Sequence, residues 1–140
     1  RPYALTWKEI KQMSRDGIEF GSHGINHTIL AKVKKPQAEC EISLSKSEIE
    51  RKIGKAVLHF SYPNGERSDF DEQIKQFVKN NNYTSACSAV NGINESQDDV
   101  FSLKRITVNN APLCIFASKI SGIFDLLSIC KREDGGDSNQ

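Results

Sequence analysis

The chain has 140 residues, of which 37% are hydrophobic and 26% are charged, a composition typical of one globular domain rather than of a disordered chain. Nineteen basic and eighteen acidic side chains give a formal net charge of +1, which excludes a strong attraction to nucleic acid or to an anionic membrane. No apolar run approaches the roughly 18 residues of a membrane span, and the first residues lack the apolar segment of a signal peptide. The sequence leaves open an export signal on a longer precursor.

The first third of the chain alternates helix and strand signals. Thr-Trp-Lys-Glu at residues 6–9 is a capping box, which predicts the start of a helix that Gly17 ends. Residues 18–21 alternate apolar and polar side chains, as a strand does. Pro36 opens a second helix that we expect to run to Ile53, followed by a left-handed glycine cap.

The rest of the chain continues this alternation. The predicted strands are residues 57–62, 83–90 and 103–108. A third helix, capped at Ser68 or Asp69, carries three apolar side chains inward, those of Ile74, Phe77 and Val78. A last helix after Pro112 presents an apolar stripe formed by Leu113, Phe116, Ala117, Ile120, Phe124 and Leu127. Residues 132–140 form a polar tail that we expect to be disordered.

The alternation of helix and strand predicts an α/β fold with parallel strands and outer helices. A complete parallel barrel takes eight strands and about 250 residues, whereas four strands are predicted here, and the chain opens on a helix. We therefore expect a partial (β/α) barrel domain over residues 1–131, with one or more N-terminal strands upstream of Arg1.

Four cysteines, Cys40, Cys87, Cys114 and Cys130, show no Cys-x-x-Cys spacing. A domain of this size needs no disulfide bonds for stability, so we interpret all four as free thiols. Free thiols are typical of a reducing compartment, which favours a cytoplasmic location.

His23 and His27 are four residues apart, which is a spacing typical of metal ligands. On a helical turn such residues lie about 5–6 Å apart on one face, so two imidazoles could converge on one ion. Their place just after a predicted strand favours a site, because ligand sites in α/β folds lie at the carboxyl ends of strands. The alternative is one histidine in a turn and one on the surface.

Three further residues are weaker candidates for the same site. His59, on the strand at residues 57–62, could offer a third nitrogen, although we favour a packed or hydrogen-bonded histidine. Asp98 and Asp99 could supply a general base, but two aspartates in a polar loop are more typical of a solvated turn.

Several segments resemble, in the same order, the motifs of the polysaccharide deacetylase family of carbohydrate esterases, which includes chitin- and peptidoglycan-type deacetylases. Gly-Ile-Glu-Phe-Gly-Ser-His-Gly-Ile-Asn-His-Thr-Ile-Leu at residues 17–30 is similar to the family's second motif, which carries two zinc-binding histidines. Phe-Ser-Tyr-Pro-Asn-Gly at residues 60–65 is similar to the approach to the third motif. Asn-Tyr-Thr-Ser-Ala and Leu-Lys-Arg-Ile continue the resemblance, which extends from Leu5 to Arg105.

The resemblance implies a metal-dependent hydrolase that removes acetyl groups from a polysaccharide, one built on N-acetylhexosamine. It implies zinc, or another divalent metal such as cobalt or nickel, bound by His23 and His27. It also implies a substrate groove lined by residues 62–65, namely Tyr62, Pro63, Asn64 and Gly65, which otherwise simply form a turn. Arg105 is either a site-lining cation or a partner in a salt bridge at the rim.

The chain also departs from the family's pattern. The aspartate pair that supplies the general base and the third zinc ligand is expected upstream of Arg1. Ser61 stands where many members have arginine, and no histidine follows His59 to act as the late general acid. We therefore expect this chain to be inactive alone. The alternatives are a carbohydrate-binding pseudoenzyme, or a structural partner completed by another chain; an open sheet edge predicts a homo-oligomer or a missing N-terminal segment.

Overall fold

A computed structural model describes residues 4–108, 110 and 112–122 of the protein. The helices are α1 (Trp7–Arg15), α2 (Lys35–Ile53), α3 (Glu72–Asn80) and α4 (Leu113–Ile120), with one short 3₁₀ helix at Leu30–Lys32. The strands are β1 (His59–Ser61), β2 (Ser85–Asn91) and β3 (Leu103–Arg105). Phe124, Leu127, Cys130 and the predicted tail at 132–140 lie outside the described residues.

The described strands form one parallel sheet in the order β1-β2-β3. Phe60 of β1 is opposite Ala86 of β2, and Cys87 of β2 is opposite Leu103 of β3. The helices α2 and α3 precede and follow β1, and their buried side chains form one core cluster with Phe60 of β1 and Ala86 of β2. The predicted α/β fold with parallel strands and outer helices is therefore confirmed.

The prediction of a strand at residues 18–21 is wrong. This segment pairs with the sheet only at its end, where Ser22 forms a single parallel bridge with Phe60. The side chain of Ile18 is 50% exposed, so the apolar alternation that predicted a strand does not face the core. The backbone nevertheless approaches β1 closely, since a Cβ on Gly21 would lie 2.9 Å from the His59 carbonyl oxygen.

The start of α3 was predicted at the wrong residue. Asp71 caps this helix, since its side chain accepts a hydrogen bond from the Ile74 amide at 2.8 Å. Asp69, one of the two predicted caps, is buried and accepts hydrogen bonds from the Glu66 amide and from the Asn64 side chain. A buried aspartate thus holds the preceding turn together instead of starting the helix.

Local sequence chemistry accounts well for α1 and α2. Thr6 and Glu9 form the predicted capping box, with the Thr6 amide donating to the Glu9 carboxylate at 2.7 Å. Pro36 lies in the first turn of α2, and Gly54 ends that helix with φ +71°. The three cysteines in the described residues are free thiols, as predicted.

The hydrophobic core lies between the sheet and the helices α2 and α3. Its buried members are Leu30, Ala38, Ile42, Val57, Phe60, Tyr62, Ile74, Val78, Tyr83 and Ala86. In contrast, α4 has no buried residue, and Leu113 at its start is 79% exposed. Within the described ranges, no helix is both long enough and apolar enough to cross a membrane.

We expect Gly65→Ala to destabilise the protein more than Gly54→Ala. Both glycines have a left-handed φ, +78° and +71°, so both substitutions carry the same backbone strain of about 1–2 kcal/mol. Only at Gly65 would the new Cβ also lie 2.8 Å from a backbone atom, the amide nitrogen of Ala89. This overpacking adds about 1–3 kcal/mol. Denaturant unfolding of the two variants measures the difference, and equal losses would contradict the close approach.

Candidate metal centre

The segment 23–27, called here the histidine loop, leaves the sheet directly after Ser22. The Ser22 amide donates to the His59 carbonyl at 2.9 Å, and the Ser22 carbonyl accepts from the Ser61 amide at 2.8 Å. The buried Ser22 hydroxyl lies 2.6 Å from the Ser45 hydroxyl of α2. The start of the histidine loop is thereby fixed to both a strand and a helix.

The first histidine of the loop is oriented by a backbone acceptor on β1. Nδ1 of His23 lies 2.7 Å from the Ser61 carbonyl oxygen. A carbonyl oxygen can only accept, so Nδ1 carries the proton and the lone pair of the neutral ring is on Nε2. If the parallel pairing with β1 continued past Ser22, the Ser61 carbonyl would accept a hydrogen bond from the Gly24 amide. The His23 ring donates to this carbonyl instead. Histidines that bind metals are commonly oriented in this way.

The second histidine converges on the first without a helix. His27 has a left-handed backbone, with φ +54°, and its ring centre lies 4.8 Å from that of His23, at an interplanar angle of 77°. Two imidazoles bound to one tetrahedral zinc at 2.0–2.1 Å would have ring centres about 5 Å apart. The separation of the ring centres is therefore compatible with two ligands of one ion, and the loop, not a helical turn, brings the rings together.

The histidine loop is hydrogen-bonded to the carboxylate of Glu41, a buried residue of α2. Its carboxylate accepts from the amides of Ile25 and Asn26 at 2.8 and 2.9 Å, and from the Asn26 side chain at 2.7 Å. The Thr28 hydroxyl lies 3.5 Å away, at the limit of a hydrogen bond. Burial acts to raise the pKa of Glu41, but the hydrogen bonds from Asn26, Ile25 and Thr28 outweigh it and lower the pKa, so the group is ionised at neutral pH.

Glu41 is a candidate site residue that sequence reasoning missed, because a charged side chain on a helix is usually exposed to solvent. Only 5% of Glu41 is exposed. The signal was its position: it follows Ala38 by three residues and precedes Ser45 by four, and all three are buried on one face. An acidic residue within a buried helical stripe indicates a specific partner.

The other candidate residues do not join the histidine pair. Nδ1 of His59 lies 2.9 Å from the Ser85 hydroxyl, and its Nε2 lies 3.8 Å from the Glu19 carboxylate, which confirms a hydrogen-bonded histidine. Arg105 is exposed and donates to the Ser88 carbonyl; it forms no ion pair with any residue that the structure describes. In residues 4–108, 110 and 112–122, no cluster of three histidine, cysteine or acidic side chains could hold a metal ion.

The two loop aspartates are occupied elsewhere. Asp98 pairs with Lys104, and Asp99 pairs with Lys75, each at 2.9 Å. Hydrogen bonds from the Glu95 amide and from Lys104 lower the pKa of Asp98, which makes it a poor proton acceptor. Both line a charged cleft of about 510 Å³ between the start of α3 and residues 98–104, and no lining residue belongs to the histidine loop.

The turn at residues 62–65 adjoins the histidine loop. A Cβ on Gly24 would lie 3.6 Å from the Pro63 ring. Tyr62 and Pro63 are buried and Asn64 is exposed. The Tyr62 ring stacks on Phe70 with centres 4.0 Å apart, and its hydroxyl donates to the Phe101 carbonyl at 2.8 Å. Tyr62 therefore supports this turn as part of the core, and its ring face is covered by Phe70.

The fold is an α/β fold with a parallel sheet and outer helices. Its candidate metal site is the pair of imidazoles that follows the parallel bridge between Ser22 and Phe60. The Polysaccharide deacetylase family matches residues 3–86, which is more than half of the chain, and the chain therefore belongs to that family. The family resemblance that the motifs predicted is confirmed. No curated protein matches the chain in sequence.

Solved structures share this fold. The Streptococcus pyogenes deacetylase PplD, solved in complex with acetate, gives a TM-score of 0.74 at 24% identity, over 82% of this chain and 50% of its own. A polysaccharide deacetylase from Bacillus cereus gives 0.72 at 29% identity, over 84% and 37%. The BpsB deacetylase domain from Bordetella bronchiseptica gives 0.65 at 15% identity, over 74% and 49%. This chain thus spans half or less of the length of each.

We expect neutral His23 to carry its proton on Nδ1, because its partner is a carbonyl oxygen. Long-range proton–nitrogen NMR spectra at pH 8 distinguish the two ring nitrogens. His59 is the internal comparison, since its hydroxyl partner can donate or accept and does not fix the tautomer. A proton on Nε2 of His23 would contradict the hydrogen bond to Ser61.

Proposed function

We propose that the protein contributes to the removal of acetyl groups from a polysaccharide, with a divalent metal ion bound by His23 and His27. The observation that supports this is the convergence of the two rings, 4.8 Å apart, with the Nδ1 proton of His23 held by a backbone carbonyl. Membership of the Polysaccharide deacetylase family indicates the reaction class. A polymer of N-acetylhexosamine is the substrate that we propose.

A metal ion at this site would polarise the acetyl carbonyl and lower the pKa of a bound water. Zinc suits two imidazole ligands, and cobalt or nickel also accepts imidazole. The hydrogen bond from Nδ1 to Ser61 keeps the lone pair of Nε2 available, and the buried Ser22 keeps the loop at the end of β1. The chain's own contribution is therefore to place two nitrogen ligands in a fixed geometry.

The turn at residues 62–65 is the proposed contact for the sugar. Asn64 is exposed beside the histidine loop, has a left-handed backbone with φ +60°, and donates a hydrogen bond from its side-chain NH₂ group to the buried Asp69. The Asn64 side-chain oxygen and the backbone of this turn offer hydrogen bonds to sugar hydroxyls. The hydroxyl of Ser61 is buried without a partner among the described residues. Unpaired buried polar groups are rare, and an ion or a polar group that binds there would supply the missing partner. Arg105, at the far edge of the sheet, remains a proposed site-lining cation.

The site lacks a general base among the residues that the structure describes, since no carboxylate joins the two histidines in one cluster. A general base typically contributes 10²–10⁴-fold to such a reaction. We therefore propose that the base and a third ligand come from outside the described residues. A carbohydrate-binding role without catalysis is the alternative that this observation favours.

Zinc uptake should depend on the histidine pair. We expect His23→Ala and His27→Ala each to abolish stoichiometric zinc binding near pH 7, because one imidazole alone cannot hold the ion. His59→Ala is the matched control and should bind zinc as the unchanged chain does. Equilibrium dialysis with metal analysis measures the stoichiometry. Full uptake by a variant that lacks both His23 and His27 would exclude this site.

We expect this 140-residue chain, saturated with zinc, to release acetate from acetylated chito-oligosaccharides no faster than free zinc does. The physical reason is that the described residues supply no proton acceptor beside the metal. A chain extended through an upstream aspartate motif should gain metal-dependent release. Enzymatic turnover by the short chain would contradict the missing base, and failure of both chains would support the carbohydrate-binding alternative.

A further inference from the structure

The conformation of the histidine loop is held against its local preference. His27 has φ +54°, which a residue with a β-carbon rarely adopts, and the chain before it turns at Gly24 with φ +75°. Ile25 and Asn26, between these two residues, have exposed side chains and no strand or helix of their own. A contact from elsewhere in the fold must therefore hold the loop in place.

Glu41 supplies that contact. The amides of Ile25 and Asn26 both donate to Oε2, at 2.8 and 2.9 Å, and the Asn26 side chain donates to Oε1 at 2.7 Å. These donors lie in the segment between the two histidines. Because Glu41 is 5% exposed, water competes little for these bonds.

We propose that Glu41 is a positioning residue of the metal centre, whose carboxylate fixes the backbone between His23 and His27 so that both imidazoles face one ion. This inference rests on the proposed function. The fit is tight, because a Cβ on Gly24 would lie 3.3 Å from Oε2 of Glu41. Residues that hydrogen-bond to the ligands or to their loop, without touching the metal, typically lower metal affinity by 10–100-fold when they are removed.

A second way for Glu41 to act would be through its negative charge, which attracts a cation without ordering the loop. The two effects respond differently to Glu41→Gln. The glutamine loses the charge but keeps one oxygen that can accept from the Ile25 and Asn26 amides, and the Asn26 amide can turn over to accept from the new NH₂ group. Glu41→Ala removes the acceptors as well as the charge.

The experiment uses the full chain and four variants. Glu41→Ala and Glu41→Gln test the residue, and Glu39→Gln, exposed on the same helix, is the control for charge. Val78→Ala, in the core, is the control for general destabilisation. Zinc affinity is measured by competition with a chromophoric chelator at a temperature at which all the variants are folded. Amide hydrogen exchange of Ile25 and Asn26 is measured on the metal-free protein.

We expect Glu41→Ala to weaken zinc binding at least tenfold and to remove the exchange protection of the two amides. Glu41→Gln should stay within about threefold of the unchanged chain, since the geometry is kept. Glu39→Gln and Val78→Ala should leave zinc affinity unchanged, although Val78→Ala lowers the melting temperature.

Three results would overturn the proposal: zinc affinity unchanged in Glu41→Ala, an equal loss in Val78→Ala, or an equal loss in Glu41→Gln, which would assign the effect to charge. If the unchanged chain takes up no zinc, the proposed function fails. Hydrogen exchange then still decides the role of Glu41, because unprotected Ile25 and Asn26 amides in the metal-free protein would refute it.

Discussion

The parallel bridge between Ser22 and β1 is the contact on which the candidate site depends. Two backbone hydrogen bonds, to His59 and from Ser61, are enough to bring an otherwise unpaired segment to the sheet. The next acceptor along β1, the Ser61 carbonyl, is then taken by the His23 ring. A single bridge thus sets both the point at which the chain leaves the sheet and the direction in which its first imidazole faces.

Three segments meet around the histidine loop, and each contributes a different kind of constraint. The strand β1 supplies a backbone acceptor, α2 supplies a buried carboxylate, and the turn at residues 62–65 supplies close packing through Pro63. The site is therefore built from parts more than ten residues apart in sequence, although its two proposed ligands are neighbours. Rigid surroundings of this kind are what lets two exposed imidazoles keep one arrangement.

Local chemistry predicted the elements whose signals lie within a few residues of one another: the capping box at Thr6 and the glycine cap of α2. The wrong predictions depended on partners distant in sequence. Residues 18–21 have the alternation of a strand, but β1 offers pairing only at Ser22, and Asp69 has the chemistry of a helix cap but is used by its own turn. Glu41 was missed because an ionisable residue on a helix is usually solvated, and only the folded structure shows the amides that it accepts from.

The hydrogen bond from His23 to Ser61 would also tie the proposed metal binding to the register of the strands. Carbonyl groups along a strand point alternately to its two sides, so a slip of one residue between Ser22 and β1 would turn the acceptor away from the ring. Such a misfolded chain could keep its helices and much of its core and still be unable to bind zinc. Metal uptake would then report correct strand alignment in this domain, a property that circular dichroism or compactness does not reveal.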